Sequence, residues 1–351
     1  MSLPEGTGTP TAMAVSDGFL TIGTNKGHLL FLNALRPDAI LETVQLSEPV
    51  IGIEPTGEAN REHRGAPALI VTTRRSVLRV DLVPEVRATI LWTAPSQCAQ
   101  VALPVGEGVL VFSGDPKGAE ISWVGLDAGV VPQGTMGGPV GKPVPLSDDR
   151  ALVFGSREIR IIEAEAAHSS RSVPSSLTLV TTVPAARLAA TGDVYLAYAD
   201  NSFQGIARYG AVDGSLTRCT DATFRALKFL PIDRQSVVVA SSTDLQVVEA
   251  RTGESRWSLV RNCDTSETDF TLFAPVGAEG HILLHARGQH GGSWIVLMPL
   301  NAAALAEGPR TIVEVRQPLL PPAALPGGVA VVHAADGIPK LLVTQAKERD
   351  S

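Results

Sequence analysis

The residue groupings in this chain that could do chemistry are few, and each fails a requirement of the chemistry it suggests. Gly134-Thr135-Met136-Gly137-Gly138-Pro139-Val140-Gly141-Lys142-Pro143 has the glycine density of a phosphate-cradling loop. However, Met136 stands where the first required glycine belongs, and Pro143 replaces the Ser or Thr that holds Mg²⁺. A flexible connecting loop is the expectation there. His281, His285 and His290 are the densest histidine group. On a strand, His281 and His285 share a face but stand about 13 Å apart at ~3.3 Å per residue, too far for one zinc ion. His290, in Gln289-His290-Gly291-Gly292, is instead a surface residue open to a partner. Ser293 lacks the Gly-x-Ser-x-Gly frame of a nucleophile elbow. Asp148-Asp149 are neighbours on a turn, whereas an acid–base pair needs carboxylates converging from separate strands. Asp200-Asn201 and Asp336-Gly337 are turn chemistry before they are calcium ligands. Cys98, Cys219 and Cys263 form no CxxC pair and are expected as small apolar fillers. The expectation is no catalytic residue, no metal ligand and no cofactor.

The elements that would position any site are far more legible. A short apolar run, a proline and a Gly or Asp precede a β-rich run again and again. Val101-Ala102-Leu103-Pro104-Val105-Gly106 precedes Gly108–Ser113, and Leu227-Lys228-Phe229-Leu230-Pro231-Ile232-Asp233 precedes Ser236–Ser241. Leu272-Phe273-Ala274-Pro275-Val276-Gly277 precedes His281–Ala286, and Ala323-Ala324-Leu325-Pro326-Gly327 precedes Val329–Ala334. Aligning the β-rich cores gives eight hairpins: Phe19–Leu32, Ala68–Leu82, Val109–Leu126, Ala151–Glu163, Val194–Val212, Ser236–Ala250, His281–Leu300 and Val329–Val343. Their spacing is about 44 residues, the scale of a repeat architecture.

Within each unit the first hairpin strand is a near-continuous apolar run, such as Leu69-Ile70-Val71 or Val237-Val238-Val239. Strands like these are buried on both faces, as in sheets stacked face to face. The following strand alternates, as in Glu158-Ile159-Arg160-Ile161-Ile162-Glu163. A further strand follows a turn, for example Thr89-Ile90-Leu91-Trp92. The apolar run before the proline supplies a fourth, and proline costs little at a strand end that need not donate its N–H. Four antiparallel strands per unit, evenly repeated, describe a β-propeller blade. The predicted fold is all-β, a single propeller over residues 1–351 with eight blades, seven being the runner-up. Thr56–Ala66 and Ala164–Ser176 are expected as inserts, and Asn301–Glu307 as a short helix. The last blade is one strand short, so the segment before Ala14 either supplies that strand or remains loose.

The segment Val248-Glu249-Ala250-Arg251-Thr252-Gly253-Glu254-Ser255-Arg256-Trp257 resembles the blade signature of WD40-like and quinoprotein (PQQ-repeat)-like propellers. In that pattern an acidic-small-x-Thr-Gly turn ends one strand and a Trp opens the next. Ala211-Val212-Asp213-Gly214-Ser215 is a weaker copy, and Trp92 falls at the signature Trp position. The resemblance implies the fold, in a divergent bacterial member. It does not imply the quinone, because the family's quinone enzymes use vicinal cysteines and an exported chain. Neither adjacent cysteines nor the basic-then-apolar layout of a signal peptide is present, so a cytoplasmic location is expected.

In a propeller the turns joining the second and third strands of every blade open on one face. Here they carry Lys26, Arg74, Arg75, Lys117, Arg157, Asp200, Asn201, Asp244, Arg287, His290 and Asp336. Mixed charge with arginines available as anchors suits docking to a protein. Nucleic acid is excluded as a partner by a net charge of −7 with no basic run longer than Arg74-Arg75. Membrane insertion is not expected either, since no long uninterrupted apolar stretch occurs. The expected function is a non-catalytic interaction scaffold, a propeller subunit of a multi-protein bacterial system. The chain is similar to the stand-alone propellers that accompany MoxR-type ATPases and von Willebrand A proteins, which implies an ATPase-containing complex among its partners. The alternatives are a propeller hydrolase or lyase acting on a sugar or lactone, and a small-ligand sensor using the central channel.

Overall fold

A computed structural model of the chain describes residues 1–345 except 57–66, 84, 95–98, 116–117, 128, 138–142, 148, 156–157, 165–169, 174–177, 180–184, 188–191, 201–202, 221–227, 232–235, 241–243, 250–254, 261–269, 277–280, 288–291, 300–309, 317–318, 321 and 326–327. The described residues form strands and turns, without a helix, and the strands pair into eight antiparallel sheets. Two compact units emerge, Met1–Ile53 with Val260–Ser351, and Glu54–Leu259.

In the first unit, β1 (Pro10–Ser16), β2 (Phe19–Thr24), β3 (His28–Asn33) and β4 (Ile40–Gln45) pair in chain order. Near the C-terminus, β26 (Phe270–Val276), β27 (His281–Arg287), β28 (Gly292–Pro299) and β29 (Arg310–Arg316) form a second such sheet. The last sheet, β30 (Ala323–Leu325), β31 (Gly328–Ala335) and β32 (Ile338–Gln345), has three strands of its own. Its open edge is covered by the N-terminus. Ser2 bridges Lys340, Met1 and Leu341 exchange two backbone bonds of 2.8 Å, and Leu3 N donates to Pro339 O at 3.0 Å. Of the two outcomes expected for the N-terminal segment, supplying the missing strand is the one observed.

Burial explains why the chain bothers. Leu3, at 4% exposure, packs in one apolar cluster with Leu20, Ile22, Leu30 and Leu32 of the first sheet and Ala330, Val332 and Leu341 of the last. An unpaired edge would leave that cluster open and a row of backbone groups unpaired.

In the second unit, β5 (Val50–Pro55) begins just ahead of the division and pairs with β6 (Ala68–Thr73), β7 (Ser76–Asp81) and β8 (Arg87–Thr93). Next come β9 (Ala99–Val105), β10 (Gly108–Asp115), β11 (Gly118–Gly125) and β12 (Val130–Gly137). They are followed by β13 (Val144–Pro145), β14 (Arg150–Phe154), β15 (Ile159–Glu163) and β16 (Arg171–Val173). A five-stranded sheet holds β17 (Thr178–Leu179), β18 (Ala185–Arg187), β19 (Val194–Asp200), β20 (Phe203–Tyr209) and β21 (Leu216–Thr220). The last is β22 (Lys228–Pro231), β23 (Ser236–Ala240), β24 (Asp244–Glu249) and β25 (Ser255–Val260). Each sheet packs on the next through an apolar layer, for example Leu110, Phe112 and Ile121 against Ala151, Val153 and Ile162. Leu152, Phe154 and Ile161 then meet Val194, Leu196 and Tyr198.

The layering fixes the burial profile. Strands such as β10 and β14 have sheets on both sides, so Val109, Leu110, Val111, Leu152, Val153 and Phe154 are all buried in succession. The outer strands β4, β8 and β12 are mostly exposed, with Leu41 at 58% and Ile90 at 59%.

Two expectations are corrected. Gly134-Thr135-Met136-Gly137 is part of the outer strand β12, with Met136 buried in the core, and is not a flexible loop. Ile121 and Ser122 face Gly134 and Pro132, so Gln133 is a bulge in β12 itself, beside the positive φ of Gly134, and it lets a glycine-rich segment pair. Ala164–Ser176 is not wholly an insert, because Arg171–Val173 forms β16, the fourth strand of its sheet. The Thr56–Ala66 insert lies outside the described residues except for Thr56, and the Asn301–Glu307 helix lies wholly outside them.

Candidate functional site

The turns joining the second and third strands are built from the strand ends inward. In the first sheet, Thr24 Oγ1 accepts from His28 N at 3.1 Å, and Gly27 N donates to Thr24 O at 3.1 Å. Gly27 holds φ at +83°, and a Cβ there would lie 2.6 Å from both Leu46 O and Glu48 O, so only glycine fits. Asn25 exchanges two bonds with Thr9, and Lys26 O accepts from Gln45 Nε2 at 2.9 Å. The Lys26 backbone is therefore pinned while its side chain is exposed.

In the second sheet the buried Thr73 Oγ1 accepts from Ser76 N at 2.9 Å and donates to Ser76 O at 3.0 Å, which clamps the turn that carries Arg74 and Arg75. Ala94 N donates to Arg75 O at 2.6 Å from the neighbouring strand end, and both arginines are exposed. Asp336 and Gly337 both have positive φ, 55° and 76°, between the paired Ala335 and Ile338. That is the turn whose twist matches a two-residue hairpin.

Of the remaining candidates, Asp200, Asp244 and Arg287 are placed by backbone only, each ending or opening a strand at the equivalent turn. Lys117, Arg157, Asn201 and His290 lie outside the described residues.

One pair of turns, and the strand ends beside another, are brought to the same end of their unit. In the first unit, the segment from Leu3 to Thr9 runs from Pro339, just past the Asp336 turn, to Asn25, beside Lys26. Six residues reach about 20 Å at most, so both turns lie at one end of that unit. In the second unit, Gly118 pairs with Gly137, whose N donates to Glu158 Oε1 at 3.2 Å. Glu158 also holds Arg160 Nη2 at 2.8 Å, and Arg160 Nη1 reaches Thr135 O at 2.8 Å. Gly118, Gly137 and Glu158 therefore lie together at one end of their sheets. Thr24 and Thr73 are the positioning residues that sequence reading passed over. A Thr at the last position of a second strand was the available signal.

Elsewhere, burial pushes the Cys219 thiol up to about 11, the behaviour of an apolar filler rather than a nucleophile. Asp213 is held below the usual carboxylate range by the Ser215 N–H, which it accepts at 3.0 Å. Gly214, at φ +64°, completes that Asp-Gly turn. In the signature segment at 248–257 the Thr-Gly turn lies outside the described residues, and Trp257 sits in β25.

Successive four-stranded antiparallel sheets packed face to face define a β-propeller-like fold. Solved structures share it at low identity. The computationally designed Ika8 protein matches over 97% of this chain and 98% of its own, with TM-score 0.64 and 13% identity. BamB from Moraxella catarrhalis, a PQQ-like propeller, matches over 99% and 98%, with TM-score 0.59 and 14% identity. Sqt1 from Saccharomyces cerevisiae, a WD40 propeller, matches over 98% of both chains, with TM-score 0.60 and 10% identity. At such identities the likeness is one of fold. No family model and no curated protein matches the sequence.

Proposed function

We propose that this chain is a non-catalytic interaction module, a single eight-bladed propeller that presents its second-to-third-strand turns to a protein partner. Lys26, Arg74, Arg75, Lys117, Arg157, Asp200, Asn201, Asp244, Arg287, His290 and Asp336 form the docking face. The observation that carries this reading is the construction of the described turns. Their backbones are fixed by buried threonines, a glycine and inter-strand bonds, while Lys26, Arg74, Arg75 and Asp336 are held out in solvent. Pre-organised charged side chains on rigid hairpins bind with little ordering cost. The partner belongs to a cytoplasmic bacterial assembly that includes an ATPase.

The test is a pull-down from the native cell with the wild-type chain and with Arg74→Glu/Arg75→Glu/Arg287→Glu. Loss of a specific co-purifying protein from the variant supports the reading. An identical set of co-purifying proteins refutes the choice of face.

A further inference from the structure

The ladder between the third and outer strands carries an irregularity that recurs from sheet to sheet. In the first sheet Phe31 pairs with Glu42 and Leu32 with Ile40, so Leu41 is an extra residue in β4. Leu91 in β8, Gln133 in β12, Cys219 in β21 and Ile312 in β29 are extra in the same way. In four of these five sheets the shift follows the fourth residue of the third strand, namely Phe31, Ile121, Ile206 and Ile295. The ladders between the second and third strands of the same sheets run without a shift. Packing is not the common reason, because Leu91 and Gln133 are buried whereas Leu41 is 58% exposed. What the five share is the edge itself. A one-residue bulge bends and over-twists its strand and breaks the even row of outward N–H and C=O groups.

Two further sheets close their edges differently. The outer strand β16 pairs without a shift but is only three residues long. β32 is eight residues long and pairs with β31 without a shift, and it is the strand to which Met1–Leu3 has added. A long edge without a bulge is therefore, in this chain, an edge that takes up a strand. At β12 the edge is closed twice over, since Thr135 O accepts from Arg160 Nη1 at 2.8 Å and Gly137 N donates to Glu158 Oε1 at 3.2 Å.

We propose that the outer-strand bulges keep this chain from pairing edge to edge with a second copy of itself. The device can be isolated in β4. Leu46 N donates to Gly27 O, so the alternation of an antiparallel ladder turns the N–H groups of Thr43 and Gln45 outward. On a straight strand they would meet the same groups of another β4. Antiparallel pairing of two identical edges is two-fold symmetric and closes on a dimer. The bulge at Leu41, two residues from Thr43, throws that row out of line. The inference concerns strand edges and not turns, so it stands or falls apart from the docking face.

The experiment is sedimentation velocity of the full chain over a concentration series, with a thermal melt of each variant. The variants are deletion of Leu41, the same deletion with Thr43→Pro, and Leu41→Ser. Deleting Leu41 leaves every other β3–β4 pair in register and removes an exposed apolar side chain, so any association it causes does not come from added apolar surface. The deletion chain should rise toward twice the monomer mass as concentration increases. Thr43→Pro removes an outward N–H without breaking the β3–β4 ladder and should return the deletion chain to monomer. Wild type and Leu41→Ser, which keeps the bulge, should stay monomeric throughout. A monomeric deletion chain, association that survives Thr43→Pro, or association of wild type or Leu41→Ser would overturn the proposal. So would loss of a cooperative melt in either deletion chain, because the bulge would then serve the fold and not its edge.

Discussion

The contact between Met1–Leu3 and β32 should be what the last sheet depends on, and Leu3→Ala tests it with one side chain. Leu3 is 4% exposed and touches residues of both the first and the last sheets of its unit. A buried Leu→Ala change costs about 2–5 kcal/mol through lost transfer energy and the cavity left behind. Leu3 sits near a chain end, where the backbone can relax inward, so about 3 kcal/mol is the working figure. At about 2.1 cal/mol/K per residue over 351 residues, the unfolding entropy is about 0.7 kcal/mol/K, and Tm should fall by about 4 °C. Removing residues 1–9 should do more, because it also breaks the Met1–Leu341 and Leu3–Pro339 bonds and the Thr9–Asn25 pair. The assay is differential scanning calorimetry, with amide exchange at Leu341 as a local readout. A Leu3→Ala chain with wild-type Tm and unaltered protection at Leu341 would show that the N-terminal strand is an ornament, and the account of the last sheet would fail.

Further outcomes follow from the same geometry. Thr73→Val keeps the shape but deletes the clamp on Ser76, taking the acceptor from a half-buried N–H. It should cost about 1–3 kcal/mol in chemical denaturation, while Thr72→Val next to it provides the comparison. Cys219 should resist alkylation near neutral pH in a Cys98→Ser/Cys263→Ser background and react faster as pH approaches about 11. Because its folded pKa lies above the ordinary thiol value of 9.0, the linked stability is intact below that value. It is lost as pH rises toward about 11, so a stability profile flat across that interval in this background would contradict the burial of the thiol. Gly27→Ala should destabilise the first sheet by more than about 1 kcal/mol, since it combines positive φ with backbone crowding, and urea midpoints would register it.

The hairpins were legible because burial on two faces leaves a mark no turn or outer strand can imitate. Leu69-Ile70-Val71 and Val237-Val238-Val239 read as continuous buried runs, and all six residues are buried. The outer strands were harder for the complementary reason. Arg171-Ser172-Val173 exposes Arg171 and Ser172 and buries only Val173, so nothing periodic distinguishes it from the Ser- and Ala-rich residues around it. Gly134–Gly137 misled through composition, since glycines suggest a loop, whereas a bulge at Gln133 in the same strand lets them pair. Met1-Ser2-Leu3 is too short to carry a period, and only the incomplete sheet at the other end of the chain gives it a place.

The candidate face and the packed core differ in the same way. Turn residues announce themselves because each lies between two readable strands, so Lys26, Arg74, Arg75 and Asp336 could be named from order alone. Leu152, Phe154, Leu196 and Tyr198 are far apart in sequence and meet only because the fourth and fifth sheets stack, a relation that no local pattern encodes. The turns also divide their labour in a way that makes mutagenesis interpretable. Thr24, Gly27 and Thr73 hold the backbone, whereas the exposed ends of Lys26, Arg74 and Arg75 lie outside the core. Exposed substitutions away from such anchors typically shift stability within about 0.5 kcal/mol. A charge reversal at Arg74 and Arg75 that abolishes a partner while leaving Tm in place therefore reports on recognition, and one that lowers Tm by several degrees reports on the clamp beneath it.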